Sequence, residues 1–96
     1  MEEINELQVY DVKTKVFEEA VGFTDFAIKV TVQNMREKRR DLYLVLQGLD
    51  IDGFEIASIE FYGELAAKQV KSVTDRRTIQ TETYREIVYW QVKYSM

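Results

Sequence analysis

The chain has 96 residues and a mass of 11.4 kDa, enough for one hydrophobic core but not two, which predicts a single domain over residues 1–96. It is 46% hydrophobic and 31% charged, which excludes a disordered polymer. The lack of Cys and His excludes disulfides, thiolate zinc sites and imidazole catalysis, and a net charge of −4 argues against nucleic acid as a partner.

Residues 1–6 are acidic and polar, unlike a secretory signal, and we expect them to be disordered or loosely attached. As written, the chain predicts a cytoplasmic protein. If Met1 begins a trimmed chain, a cell-envelope or secreted domain is equally consistent with the lack of cysteine, so the compartment stays open. The longest apolar runs are four or five residues, which excludes insertion into a membrane.

Val, Ile and Thr fill 25 of the 96 positions, and 12 aromatic residues join them, a composition typical of strands. The clearest period of two runs from Phe26 to Val32, where apolar and small or polar residues alternate. Trp90 lies on the apolar side of the last strand and is predicted to point into the core. In chain order, the predicted strands are 10–16, 24–34, 42–46, 54–62, 70–74, 77–81 and 88–94.

Polar breaks separate these strands at 18–22, 35–41, 50–53 and 63–68, and Asp52-Gly53 is a hairpin signal. A single helical turn is expected at Ala66–Ala67. Six or seven short strands with regular breaks predict an all-β fold, an immunoglobulin-like antiparallel β-sandwich. Since the chain has no Pro, charged residues are expected to guard the sheet edges: Lys13, Lys15, Glu55 and Glu60.

The order of these segments follows a known pattern. A long alternating strand ends in Val-Gln-Asn (32–34), the next apolar strand runs into Leu-Asp-Ile-Asp-Gly (49–53), and Trp-Gln-Val (90–92) comes late. Over roughly residues 7–94 the chain resembles the bacterial immunoglobulin-like FxLYD domains, and plant-type WHy domains, which share the layout, look like a second relative. In the Phe-x-Leu-Tyr-Asp motif, Leu46 replaces Phe, Leu49 replaces Tyr and Asp50 matches, while Gly48 departs from Leu. The resemblance implies a bacterial accessory or binding module and supplies no catalytic residue.

Two polar clusters are candidate sites. Arg36, Lys38, Arg39 and Arg40 form a basic loop that can bind phosphate or carboxylate, or can be a solvated turn. Asp50 and Asp52 supply two carboxylates, whereas calcium needs about six oxygens or more, and Asp before Gly is also the ordinary hairpin turn. No metal or cofactor is therefore predicted.

No combination of nucleophile, base and orienting group is visible, and Lys71 and Ser72 face opposite sides of a strand, so we do not expect an enzyme. Tyr43, Tyr62 and Tyr89 are candidate interface residues. The predicted function is a non-enzymatic interaction module that engages a protein partner or itself, as in a homodimer, through a sheet face or edge strand. The alternative is an anion- or carbohydrate-binding accessory domain that uses the 36–40 loop, and a small hydrolase ranks third.

Overall fold

The computed structural model describes the backbone of residues 2–4 and 6–95 and the side chains of residues 6–93. The described residues form two antiparallel sheets, one in the order β1-β2-β3-β6 and the other in the order β5-β4-β7. This confirms the predicted all-β, immunoglobulin-like sandwich. The elements are β1 (Glu2–Ile4), β2 (Leu7–Glu19), β3 (Phe23–Asn34), β4 (Arg40–Leu49), β5 (Glu55–Leu65), β6 (Val70–Gln80), α1 (Thr81–Glu86) and β7 (Tyr89–Ser95).

The core lies between β3 and β4, the central strands of the two sheets. The alternate residues of β3 from Phe26 to Val32 are fully buried, as their period of two predicts. Leu42, Leu44 and Leu46 of β4 face them from the other sheet and are also buried. Burial of these apolar side chains is the main contribution to the stability of the domain.

The strand order leaves one side of the sandwich open. An immunoglobulin-like fold carries strands A, B and E in one sheet and C, F and G in the other. Here β2, β3 and β6 take positions A, B and E, while β4 and β7 take C and F. Within the part of the chain that the structure describes, no strand pairs with the outer edge of β7, the position of strand G. On the opposite side β5 and β6 contact each other.

A buried amide joins three segments at one end of the sandwich. The Asn34 side-chain nitrogen donates to the carbonyl of Lys38 at 2.8 Å and to that of Ala66 at 3.0 Å. Its side-chain oxygen accepts from the backbone N–H of Arg36 at 3.0 Å. Asn34 is fully buried, so these bonds replace water and fix the 36–40 loop against the turn before β6.

A pair of buried hydroxyls joins the other end. The Thr81 hydroxyl donates to the carbonyl of Ala20 at 2.8 Å, and its oxygen lies 2.9 Å from the Thr24 hydroxyl. Because a hydroxyl has one proton, Thr24 is the donor to Thr81. The first residue of α1 is thereby attached to the β2–β3 connection.

Several elements differ from their predictions. Residues 1–6 were predicted to be disordered or loosely attached; within them Glu2–Ile4 form β1 and pair with β2, after a turn in which Glu6 has a positive φ of 61°. The two strands predicted at 70–74 and 77–81 are one strand, β6, since Asp75 and Arg76 pair with β3. At 66–68 the chain makes a turn and no helix.

Helix α1 is absent from the sequence prediction because its Thr and Tyr residues have strand propensity. Packing overrides that propensity: the Tyr84 ring lies 4.8 Å from the Phe26 ring, centroid to centroid, and Tyr84 packs against the core. Among the described residues, no helix is long and apolar enough to cross a membrane.

Candidate functional site

A groove of about 320 Å³ runs along the open side of the sandwich, between the edges of β2 and β7. Most of its lining residues are Val, Tyr or Trp, although polar and apolar atoms contribute about equally to its surface. Two of its members are large and strongly exposed, namely Val88 at 62% and Tyr89 at 57%. Apolar side chains that are exposed at a sheet edge are typical of a protein interaction site. We call this groove the open-side groove; it is lined by Val9, Tyr10, Asp11, Val12, Val88, Tyr89, Trp90 and Val92.

Both edges of the open-side groove carry β-bulges. The register of β2 shifts between Val9 and Asp11, so Tyr10 is an extra residue, and it is 43% exposed. The register of β7 shifts at Lys93, whose ammonium binds the Glu55 carboxylate at 3.0 Å. Bulges re-aim side chains and are common beside functional sites.

Gly48 makes room for one wall of the groove. A Cβ at this position would lie 3.0 Å from Cδ1 of Ile87 and 3.1 Å from Cζ3 of Trp90. The two side chains therefore occupy the space that a larger side chain at position 48 would need. Trp90 packs against the core as predicted, with its ring 6.2 Å from that of Phe26, but it is only partly buried because it borders the open-side groove.

We expect Gly48→Leu to destabilise the domain by about 1–3 kcal/mol, since the new side chain must displace Trp90. Because Trp90 is the single Trp of the chain, its fluorescence reports the displacement directly. The control is Gly63→Ala in β5, where a Cβ meets only Leu42 at 3.9 Å. An unshifted emission spectrum and an unchanged melting temperature for Gly48→Leu would contradict this packing.

The four cations of the predicted anion loop are not arranged as one free cluster. Arg36 binds Glu6 at 2.6 Å, and Arg39 binds Glu64, whose pKa it lowers by a hydrogen bond. Arg40 is buried, and burial lowers the pKa of its guanidinium. Lys38 is exposed, and its backbone carbonyl accepts a hydrogen bond from Asn34. Anion binding by this loop stays a prediction, and the geometry does not favour it.

The predicted interface tyrosines lie at two separate places. Tyr43 and Tyr62 are directly opposite each other on β4 and β5, with ring centroids 5.0 Å apart. Tyr89 pairs with Leu49, six residues from Tyr43 along β4, a separation of roughly 20 Å. Tyr89 lines the open-side groove, and the other two form a separate pair in which Tyr62 is exposed and Tyr43 is half-buried.

Glu60 accepts a hydrogen bond from Tyr62 and raises the pKa of the Tyr62 hydroxyl. The Tyr62 hydroxyl donates to the Glu60 carboxylate at 2.6 Å, which raises the pKa of Tyr62 to about 12. Since the folded pKa exceeds the ordinary value of 10.0, this bond stabilises the fold fully below pH 10 and is lost as the pH rises through about 12.

Absorbance titration at 295 nm should therefore show one tyrosine that ionises near pH 12 in the folded chain. Glu60→Gln is expected to return that transition toward the ordinary value, because the charged acceptor is gone. Tyr62→Phe, the matched control, should delete the transition. Persistence of a transition near pH 12 in Tyr62→Phe would show that the assignment is wrong.

In the β4–β5 hairpin, the carboxylate of Asp50 stabilises the turn. One Asp50 carboxylate oxygen accepts from the backbone N–H of Asp52 at 3.0 Å and of Phe54 at 2.9 Å, and Gly53 has a positive φ of 84°. This confirms the predicted hairpin. No three His, Cys, Asp or Glu side chains of the described residues meet as metal ligands.

The residues of the open-side groove other than Tyr89 and Trp90 were not identified from the sequence. A signal was present: Val88, Tyr89 and Trp90 are consecutive and apolar, and strand alternation cannot bury all three. Val9 and Val12 gave no such signal, because the bulge at Tyr10 changes which residues share a face.

Comparison with known proteins shows the fold alone. No protein-family profile matches the chain, and no curated protein matches it in sequence. It is similar to part of "The structure of a beta-glucuronidase from glycoside hydrolase family 2", with a TM-score of 0.64 and 21% identity over 73% of this chain. The match spans 7% of the enzyme's length.

A second similar structure is "X-ray structure of Northeast Structural Genomics Consortium target SoR45". It has a TM-score of 0.52 and 11% identity, over 96% of this chain and 84% of that one. The resemblance to FxLYD domains stays a prediction.

Proposed function

We propose that the chain is a non-enzymatic interaction module that binds an extended segment of a partner protein by strand addition at β7. The observation that carries the proposal is the free outer edge of β7 beside the apolar open-side groove. A strand edge offers backbone donors and acceptors in a row, and a neighbouring apolar groove accepts alternate side chains of the added strand.

The lining of the open-side groove indicates the chemistry of the segment. Val12 and Trp90 are partly buried on its walls, and Val88 and Tyr89 are exposed beside the β7 edge. An extended segment with an apolar residue at every second position would cover these surfaces while its backbone pairs with β7. Backbone pairing supplies affinity, and the fit of the alternate side chains supplies specificity.

Charge at the groove does not oppose such a segment. Asp11 is paired with Lys13 at 3.4 Å, and Lys93 is paired with Glu55. An apolar segment therefore does not have to strip water from an unpaired charge. Lys93 is a bulged residue, and Asp11 borders a bulge. Charges and bulges at a sheet edge also keep an edge strand from pairing indiscriminately.

The comparisons are consistent with an accessory role, because a domain of this fold forms a small part of a much longer enzyme. The sequence resemblance to FxLYD domains implies the same kind of role. Neither names a partner. The proposal rests on the edge and the groove.

The test is a selection of ten-residue peptides from a random displayed library against the wild-type chain. We expect the enriched peptides to alternate apolar and polar residues and to lose most of their binding, about tenfold or more, to Val88→Lys. The matched control is Val70→Lys on β6, because Val70 is equally apolar and 57% exposed but lies outside the groove.

Peptides without alternation, or equal binding to wild type and Val88→Lys, would contradict strand addition at this site. Sedimentation at increasing concentration tests a second copy as the occupant. The mass of the wild type and of Val70→Lys could rise with concentration while that of Val88→Lys does not. The groove would then bind a second copy of this chain, and the proposed partner segment would be wrong.

A further inference from the structure

The outer face of the four-stranded sheet carries a cluster of lysines, of which the proposed function uses only Lys13, as the partner of Asp11. Lys13 of β2 lies directly opposite Lys29 of β3. Lys15 lies two residues further along β2, on the same face of the sheet. Directly opposite residues have Cβ atoms about 5 Å apart, and diagonal neighbours about 7–8 Å. Three ammonium groups can therefore converge on one point above the sheet.

The cluster is charged beyond what its neighbours balance. Lys13 contacts Asp11 at 3.4 Å, but among the residues with described side chains Lys15 and Lys29 form no ion pair. Like charges directly opposite each other on a sheet are destabilising. These cations are concentrated on one face of a chain whose net charge is −4.

The surface at the lysines is concave. A depression of about 370 Å³ is bordered by the three lysines and floored by small residues, Ala27 of β3 and Thr74 of β6. At one end lies Phe17, which the β-bulge between Val16 and Glu18 inserts into β2.

Phe17 lies among cations. Its ring centroid is 5.6 Å from the Lys15 ammonium and 4.4 Å from the Arg76 guanidinium carbon. Arg76 is held by two hydrogen bonds to Asp25, which raise the pKa of Arg76 and lower that of Asp25. The charge of Arg76 is thereby balanced by Asp25, and Arg76 reaches the depression only through its contact with the Phe17 ring.

We propose that Lys13, Lys15 and Lys29 form a binding site for a phosphoryl group with two or more negative charges. An ammonium group is a compact donor that binds phosphate oxygens as a point charge. A single carboxylate neutralises one lysine, whereas a doubly charged phosphoryl group bridges the opposed pair and removes their repulsion. The site lies on a different face from the open-side groove, so the two proposals stand or fall separately.

The test uses inorganic phosphate and pyrophosphate as probes, in NMR titrations of the ¹⁵N-labelled chain at constant ionic strength. We expect saturable shifts of the amides around Lys13, Lys29 and Thr74, stronger with pyrophosphate. Lys29→Gln should weaken binding at least about fivefold, corresponding to about 1 kcal/mol. The matched control, Lys38→Gln, removes an exposed lysine of the 36–40 loop and should leave binding unchanged.

The melting temperature is a second, independent measurement. If Lys29 only stabilised the fold, its replacement would lower the melting temperature. Without phosphate, Lys29→Gln should melt slightly higher than wild type, by up to a few degrees, because the repulsion is relieved. A lower melting temperature for Lys29→Gln would contradict the account of the cluster. Shifts that do not saturate, or that Lys38→Gln abolishes and Lys29→Gln preserves, would overturn the site.

Discussion

Replacing Phe26 by Ala is expected to destabilise the domain by about 3–5 kcal/mol and to lower its melting temperature by at least about 12 °C. Phe26 is fully buried at the centre of β3, and its ring contacts those of Tyr84 and Trp90. The variant loses apolar burial and leaves a cavity beneath α1. Since small domains have only about 5–15 kcal/mol of stability, the variant is expected to be partly unfolded at elevated temperature.

Phe23→Ala is the matched control, because Phe23 lies on the same strand and is 62% exposed. It should change the free energy of unfolding by well under about 1 kcal/mol. Urea denaturation followed by circular dichroism measures both variants. If Phe26→Ala and Phe23→Ala were equally stable, the assignment of the core would be wrong.

Asn34→Asp is the second change with a large expected effect, about 3 kcal/mol or more. The carboxylate keeps the shape of the amide but has no N–H to donate, so the partly buried carbonyls of Lys38 and Ala66 both lose their donor. Each buried acceptor left without a donor costs about 1–3 kcal/mol. The new charge is also buried, because Asn34 is fully enclosed.

The loss of folding stability in Asn34→Asp should depend on pH. Burial beside two carbonyls favours the neutral carboxyl and raises its pKa in the folded state above that in the unfolded state. The difference in stability from wild type should therefore shrink as the pH falls from 7 toward 4. The control is Gln80→Glu at an exposed position. A deficit that is the same at pH 4 and pH 7 would contradict the burial of this side chain.

The parts of the fold that follow from local pattern were predictable. The alternation from Phe26 to Val32 identifies a strand with one buried face, and Asp52-Gly53 identifies a hairpin, because each depends on neighbours in sequence. Helix α1 was not predictable, since Thr81 is held by Ala20 and Thr24, which are distant in sequence. The burial of Asn34 is likewise a tertiary effect.

The candidate sites show the same division. Tyr89 was identified because it is an aromatic residue on a strand, but its place beside β2 depends on the order of strands in the two sheets. The lysine cluster depends on the pairing of Lys13 with Lys29 across β2 and β3, which alternation alone cannot assign. Lys13 and Lys15 were predicted only as edge guards.

The central claim is that the outer edge of β7 is free and receives an added strand. Amide hydrogen exchange along Tyr89–Ser95, measured for the free chain and for the chain saturated with a selected peptide, tests it most directly. We expect alternate amides of β7 to exchange rapidly in the free chain and to become protected in the complex, as β4 amides are in both. Protection of every β7 amide in the free monomer, or no change on binding, would contradict the claim.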